Sequence, residues 1–368
     1  MPLRYLGISV LMAAVSLSAC KPRDTQPHES ASAMSRKVAD VSCPKAVPEA
    51  FRGALNVQSK YDQSDKSKST LLAKRDDESE EIQSQIQEYA KGVVRLADYA
   101  VSDASDRKAQ QAEACLTQWL DAWANDHALE TDDTSKTGQA VRKWTLATLA
   151  MVALKTEALT NGQWQASTTT RNWFNRLGRQ VMTDYSPRLD PGFKYFNNHD
   201  HWAAWSVFSS GLLSNDKEMM AWGYKVFSLA LDKAVFDKRH QYAYFPNELA
   251  RKHLATNYTH FSLTPLVMLA RYLPNAGYPL SSDQSGTLIA LANFASVAVT
   301  DPGSLKSYLG DKQSPVAGYK LAWTQVFLSM HPDNKPVRAL YDSEKGDVDG
   351  YSQLGGKLSQ LYPVEGSK

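Results

Sequence analysis

Apolar residues recur along this chain with the 3.6-residue period of a helix and seldom with the alternation of a strand. Ile82, Ile86, Tyr89, Val93 and Leu96 fall on one face of a predicted helix, as do Ala112, Leu116, Trp119, Leu120 and Trp123 on the next. The same pattern predicts helices near residues 139–158, 168–184, 200–213, 216–233, 262–273, 286–300 and 315–330, with Gly, Pro, Asn or Asp between many of them. Helices joined by such modest loops pack as antiparallel hairpins side by side, so the expectation is a large all-α fold. Periodicity alone does not distinguish a ring of hairpins from another helical array. Residues 58–80 resist the helical reading: from Ser59 to Ser69 they are dense in charge and hydroxyls, the composition of a surface loop or a solvated helix start.

The N-terminus stands apart from the fold. Arg4 precedes an apolar run from Leu6 to Val15, too short to span a bilayer, and Leu17-Ser18-Ala19-Cys20 follows it. That ending resembles the lipobox of bacterial lipoproteins, which implies a signal peptide over residues 1–20 and lipidation of Cys20. An ordinary cleaved signal with an incidental cysteine is the alternative. Lys21, rather than Asp, resembles the pattern of lipoproteins passed on to the outer membrane, so the expected location is the periplasm, on a lipid anchor. Residues 21–40, rich in Ser, Pro, Lys and Asp, have little to bury and read as a disordered tether. No second linker of that kind interrupts residues 41–368, so one large domain is expected there. Cys43 and Cys115 remain, an even pair in an oxidising compartment; a disulfide is the economical reading and two free thiols the other. A formal net charge of +2 says little about partners, and the chain has neither a Gly-rich phosphate loop nor the basic-aromatic interleaving of nucleic-acid binders.

Candidate chemistry concentrates in two blocks. Asn197-Asn198-His199-Asp200-His201-Trp202-Ala203-Ala204-Trp205-Ser206 places two amides, two imidazoles and two indoles at the start of a predicted helix. Pro246-Asn247-Glu248-Leu249-Ala250-Arg251 is followed by Tyr258, seven positions after that arginine. With Ser59-Lys60-Tyr61, Val47-Pro48-Glu49-Ala50-Phe51 and Leu354-Gly355-Gly356, these blocks resemble the alginate lyases, polysaccharide lyase family 5, over most of the chain after Cys43. The resemblance implies an (α/α) barrel, an incomplete toroid of antiparallel helical hairpins. It also implies metal-independent β-elimination on mannuronate-rich alginate, leaving an unsaturated uronate at the new nonreducing end. No cofactor is implied. The expected partner is an acidic polysaccharide, not nucleic acid, and the expected state is a monomer that meets the membrane only through its lipid.

Such a reaction removes the C5 proton of a uronate and expels the oxygen at C4. The proton becomes acidic enough only when the adjacent carboxylate is neutralised, and Asn198, His199 and Arg251 are donor types suited to that. Tyr258 is then the proton-transfer group. A phenol ionises near pH ~10, so a neighbouring cation must lower it, and Arg251 is expected to do so from two helical turns away if the segment is helical. In the family the matching tyrosine takes the C5 proton and returns one to the leaving oxygen when both lie on one side of the ring, as in mannuronate. The resemblance gives His199 either of two roles: neutralising the carboxylate, or acting as base from the opposite face. It also makes residues 58–80 a lid, with Lys60 and Tyr61 as sugar-carboxylate contacts. Asn197, Tyr195, Phe196, Trp202 and Trp205 flank the site as candidate sugar subsites, while Trp119, Trp123 and Trp144 sit in helical stripes and read as packing.

Each residue also has a plainer reading. Asn197 suits a helix cap, His199 a structural histidine, Arg251 a surface arginine and Tyr258 a core tyrosine beside Phe261, Leu263 and Leu266. Their joint occurrence in family order favours the site. A metal cluster built from His199, Asp200, His201, His253 and His260 lacks ligand spacing, because residues two apart on a helix point to different sides. Two positions depart from the family pattern: Gln353 stands where an arginine is common before Leu-Gly-Gly, and His201 where a tyrosine is frequent. A binding subsite therefore differs from the mannuronate-specific pattern. The competing expectations are a lyase for another polyuronate, such as polyglucuronate, and a non-catalytic lipoprotein that binds an anionic exopolysaccharide.

Overall fold

A computed structural model describes residues 43–365 apart from 103–105, 240, 311, 345–347 and 349; the proposed signal peptide, Cys20 and the tether lie outside the described residues. In chain order the elements are α1 (Asp77–Ala100), α2 (Asp106–Asn125), α3 (Lys136–Leu159), α4 (Thr168–Tyr185), α5 (Asn198–Ser214), α6 (Lys217–Asp232), a two-stranded ribbon of β1 (Val235–Phe236) and β2 (Ala243–Tyr244), α7 (Pro246–Leu249), α8 (Ala255–Tyr272), α9 (Ser282–Thr300), α10 (Lys306–Leu309), α11 (Trp323–Met330) and α12 (Lys335–Ser343). Many helices start on a side-chain cap that satisfies an otherwise unpaired amide: Asp76 for α1, Ser135 for α3, Ser167 for α4 and a Ser281–Gln284 capping box for α9.

Among the described residues five hairpins, α1/α2, α3/α4, α5/α6, α8/α9 and α11/α12, stand side by side. The first member of each packs on the first member of the next, α1 on α3, α3 on α5, α5 on α8 and α8 on α11, and the second members pair in the same sequence. The result is two concentric layers, the (α/α) arrangement. Because each hairpin reverses direction, the five inner helices run the same way and begin at one mouth. Helix α5 lies at the middle of the inner layer, and fourteen of its seventeen residues are buried, so it is enclosed all round instead of amphipathic. That enclosure buries Asn198, Asp200, His201 and three serines with its apolar residues, and its alanines, serines and Gly211 let neighbours approach. From the facing helix, Gly223 comes so near that an added Cβ would lie 2.7 Å from that of Phe208.

The C-terminal segment returns to the first hairpins. A short 3-10 turn, Ser352–Leu354, packs on α3 and α1. Buried Lys155 of α3 reaches Asp98 of α1 at 2.5 Å and also donates to the Gly355 carbonyl. Gly355 and Gly356 have φ of +77° and +94°; a Cβ on the first would sit 3.0 Å from the Val152 amide nitrogen, and one on the second 2.6 Å from the Asp98 carboxylate. Only glycine suits both the left-handed backbone and that closeness, which gives the Leu-Gly-Gly motif a structural reason.

Several boundaries differ from the sequence expectation. Helix α8 begins at Ala255 instead of 262, because its first turns bury polar Thr256, Asn257, Thr259 and His260, which carry no apolar period. Helix α11 starts at Trp323 instead of 315, after Pro315 and a 3-10 turn over Gly318–Leu321. Helix α12, which buries Val337, Leu340 and Tyr341, lies beyond the stretches whose periodicity predicts a helix. The loop expected over 58–80 ends earlier, since α1 starts at Asp77.

Cys43 and Cys115 are bonded, tying the segment before α1 to α2 across 72 residues. Closing a loop of that length restricts the unfolded chain by about 4 kcal/mol in the chain-entropy picture. Replacing both cysteines with alanine is expected to lower stability by that order, read as a shift in the denaturant midpoint against the oxidised protein.

Candidate active site

The start of α5 is held by a dense polar network. Asn197 caps it: its side chain accepts from the His199 amide at 3.0 Å, while Asp200 accepts from the Asn197 amide at 2.8 Å. Arg188 grips buried Asp200 through both carboxylate oxygens, at 2.6 and 2.8 Å. Glu248 from α7, wholly buried, accepts from the Asn198 backbone amide at 2.6 Å and from its side-chain nitrogen at 3.1 and 3.0 Å. Burial pushes the Glu248 carboxyl up to about 7, against the pull of Arg251 and of these donors.

His199 projects from this helix start with its ring 5.5 Å from that of Trp144. Its Nδ1 lies 2.8 Å from the Nζ of buried Lys143 on α3, which is also 2.6 Å from the Tyr185 hydroxyl. Burial, and then the charges of Lys143, Arg188 and Arg251, hold the imidazole well below its ordinary titration range, so it is neutral.

Across from it, Arg251 sits in the turn after α7 with its guanidinium 4.2 Å from the centre of the Tyr258 ring. A single helix does not link the two: Lys252 has φ +53° and begins a 3-10 turn, and Tyr258 lies in the first turns of α8. The Tyr258 hydroxyl donates to that of Tyr61 at 2.7 Å. Burial and Tyr61 together raise the Tyr258 pKa, and the opposing effect of Arg251 does not overcome them. This corrects the expectation of a phenol lowered by its arginine; in this arrangement Tyr258 is a neutral phenol.

Tyr61 reaches Tyr258 because the loop over it is ordered. Asp65 accepts from the amides of Ser67, Ser69 and Thr70 at 2.9 Å each, and Asp62 does the same for Ser64 at 2.8 Å. Tyr61 and Leu71 pair across the loop, and Arg251 donates to the Lys68 carbonyl at 3.5 Å. Lys60 stands exposed with its Nζ 5.2 Å from the Tyr61 ring. Lys320 donates to Asn257 of α8 at 3.0 Å; burial, and then the charge of Lys60, lower its pKa.

His199, Arg251, Tyr258, Tyr61 and Lys60 are thus brought together, while other expectations change. Asn198 is buried with its NH₂ committed to Glu248, so in this state it offers no donor to a sugar. Asn197 serves as the cap. Trp202 and Trp205 are fully buried, and the Trp202 indole donates to the Phe261 carbonyl; with Phe196 they belong to the core and are not sugar platforms, because α5 is enclosed on every side. Tyr195 is exposed at the rim. Trp119 and Trp123 flank Tyr89 in the core, as expected, and Trp144 packs on the core at Phe261 while its ring also lies against His199. The histidines weighed as ligands are engaged separately, His201 with Ser262 and His260 with Trp323, and among the described residues no group of three His, Cys, Asp or Glu is placed to hold a metal. Gln353 bonds to the Tyr351 hydroxyl. Lys143, Tyr185 and Arg188 carry no sequence signal: each sits in an ordinary helical or turn stretch, and only the three-dimensional packing shows its partner. Glu248 lies within the Pro246–Arg251 block, but nothing in the sequence signals its buried contact with Asn198.

Solved structures with the same layered helices define the fold as an (α/α) barrel: an alginate lyase A1-III complexed with tetrasaccharide has a TM-score of 0.66 at 19% identity, covering 87% of this chain and 85% of that one. Alginate lyase A1-III from Sphingomonas species A1 has a TM-score of 0.64 at 20% identity, with 86% of each chain covered. The chain belongs to the alginate lyase family, whose sequence model matches residues 56–305. Among curated relatives, the alginate lyase of Azotobacter vinelandii is 30% identical over 90% of this chain and 87% of its own length. The alginate lyase of Pseudomonas aeruginosa is 29% identical over 90% of this chain and 88% of its own.

Glu248 gives the site a signature in stability. Its folded pKa of about 7 lies above the ordinary 4.5, so the folded state binds its proton more tightly. The stability it contributes is full below the ordinary value and is lost as pH rises through about 7, on the order of 3 kcal/mol in all. Glu248→Gln is expected to remove that part of the pH dependence, measured as the difference in melting temperature between variant and wild type on either side of the window. A difference that stays constant with pH would refute the assignment.

Proposed function

We propose that the protein cleaves alginate by β-elimination, preferring mannuronate-rich stretches and using no metal. The convergence of the Tyr258 hydroxyl, the Arg251 guanidinium and the His199 imidazole under the Tyr61 loop supports this reading, together with family membership. The uronate carboxylate lies against Arg251, Lys60 and the imidazole N–H, which stabilise the charge that develops on it as the C5 proton leaves. Entry of the sugar displaces Tyr61 from Tyr258 and leaves the phenol free to ionise beside Arg251. The phenolate takes the C5 proton; that electron pair becomes the C4=C5 double bond while the C4–O bond breaks. The same proton then passes from Tyr258 to the departing O4, which restores the phenolate. Lid closure keeps water from the developing anion.

A loop pinned by Asp65 and Asp62 rather than left mobile fits such a lid. Gln353, held by Tyr351, leaves that corner without an arginine, so other polyuronates, polyglucuronate above all, belong in the substrate screen. We place the enzyme in the periplasm as a monomer, lipidated at Cys20 and held at the outer membrane by residues 21–40.

Ultraviolet absorbance of the unsaturated product, followed on polymannuronate, polyguluronate and polyglucuronate, tests the activity, and turnover that survives prolonged chelation tests metal independence. Tyr258→Phe is expected to lower kcat by about 10³-fold or more while polymer binding persists; near-normal turnover would reject Tyr258. Tyr61→Phe removes the acceptor that steadies the neutral phenol in the free enzyme, so the rising limb of kcat/KM against pH is expected to move to lower pH; an unmoved limb would show that Tyr61 does not set the ionisation of Tyr258.

A further inference from the structure

We infer that Lys143 fixes His199 as the tautomer that carries its proton on Nε2, and so confines it to donating a hydrogen bond and denies it the role of base. This rests on the lyase reading above and chooses between the two roles which the family resemblance leaves open for that histidine. Lys143 lies inside the inner layer, 2.8 Å from His199 Nδ1 and 2.6 Å from the Tyr185 hydroxyl. The rings of Trp144 and Tyr185 lie 4.9 and 4.5 Å from its nitrogen. Burial acts most strongly on its charge, followed by Asp200, Arg188 and Asp184.

The conclusion holds in either charge state of the lysine. An ammonium has three N–H donors and no acceptor, so Nδ1 must accept. A neutral amine has one lone pair, and the Tyr185 phenol is the stronger donor to it; burial keeps that phenol protonated. The amine N–H then still points to Nδ1. In both cases the ring proton is on Nε2, which faces away from Lys143, and the only basic nitrogen is occupied. A histidine so held can steady a uronate carboxylate but cannot abstract a proton from the opposite face of the ring. Epimers that present C5–H on that face, as guluronate does, are therefore poor substrates.

Long-range proton–nitrogen NMR of the imidazoles tests this without reference to activity, the His199 signals being identified by their loss in His199→Gln. The wild type is expected to show a protonated Nε2 and an unprotonated Nδ1 from about pH 6 to pH 9. Lys143→Met is expected to give a mixture of tautomers and to lower kcat on polymannuronate by about tenfold or more, with KM changed less; a wrongly held imidazole costs up to about 10⁴-fold in serine proteases. A proton on Nδ1 in the wild type would overturn the inference whether or not the variant folds, as would an unchanged tautomer in folded Lys143→Met. Rapid wild-type cleavage of polyguluronate that is lost in His199→Gln would overturn it as well. If no polyuronate is cleaved at all, the lyase reading fails while the nitrogen spectrum still decides the tautomer.

Discussion

One buried carboxylate carries much of this architecture. Glu248 reaches from a four-residue helix to the first free amide of α5 and to the Asn198 side chain, and so joins two segments fifty positions apart in the chain. A helix start buried without partners would leave unpaired N–H groups in an apolar layer, each costing about 1–3 kcal/mol. Glu248 and the Asn197–Asp200 capping box satisfy them, with Arg188 balancing the charge of Asp200. The same contact sets the distance between His199 on α5 and the Arg251 turn that follows α7. The histidine and the arginine therefore face one another because a structural hydrogen bond holds their elements, not because either side chain seeks the other.

Around that joint the chain concentrates cations where burial opposes them. Lys143 and Arg251 are largely shielded from water, and each is placed over an aromatic ring. A ring stabilises the desolvated Arg251 guanidinium without neutralising it, so that charge remains available to an anionic ligand, whereas burial pulls the Lys143 amine well below its ordinary pKa. A full complement of acidic partners would have made the site more comfortable and less able to bind a polyanion. In the loop bearing Lys60 and Tyr61 the carboxylates of Asp62 and Asp65 are engaged chiefly by backbone amides and serine hydroxyls, with Lys252 at 3.9 Å from Asp65.

The helical class, most helix positions and the Cys43–Cys115 pairing were legible because they leave local signals: a 3.6-residue period and an even number of cysteines in the domain. The blocks holding His199, Arg251 and Tyr258 were legible by their order along the chain. What escaped was decided by packing. Trp202 and Trp205 look like sugar platforms beside two histidines, but α5 is enclosed by neighbours on every side and turns both indoles into core. Lys143 is one cation among many until α3 packs against α5. Asn198 carries a donor group in sequence and has already used it in the fold, and the ionisation of Tyr258 depends on a tyrosine 197 positions away.

The shared direction of the inner helices has an electrical result. Helices α3, α5 and α8 begin close to the loop with their amide ends toward it; side chains cap those of α3 and α5, and the dipole of each helix still places roughly half a positive charge at such an end. Aligned dipoles add at the mouth to the lysine and arginine side chains there. A protein whose formal charge is only +2 can in this way present a concentrated positive field to a passing polyanion. Attraction of the polymer is thus written into the chain's winding as much as into its composition.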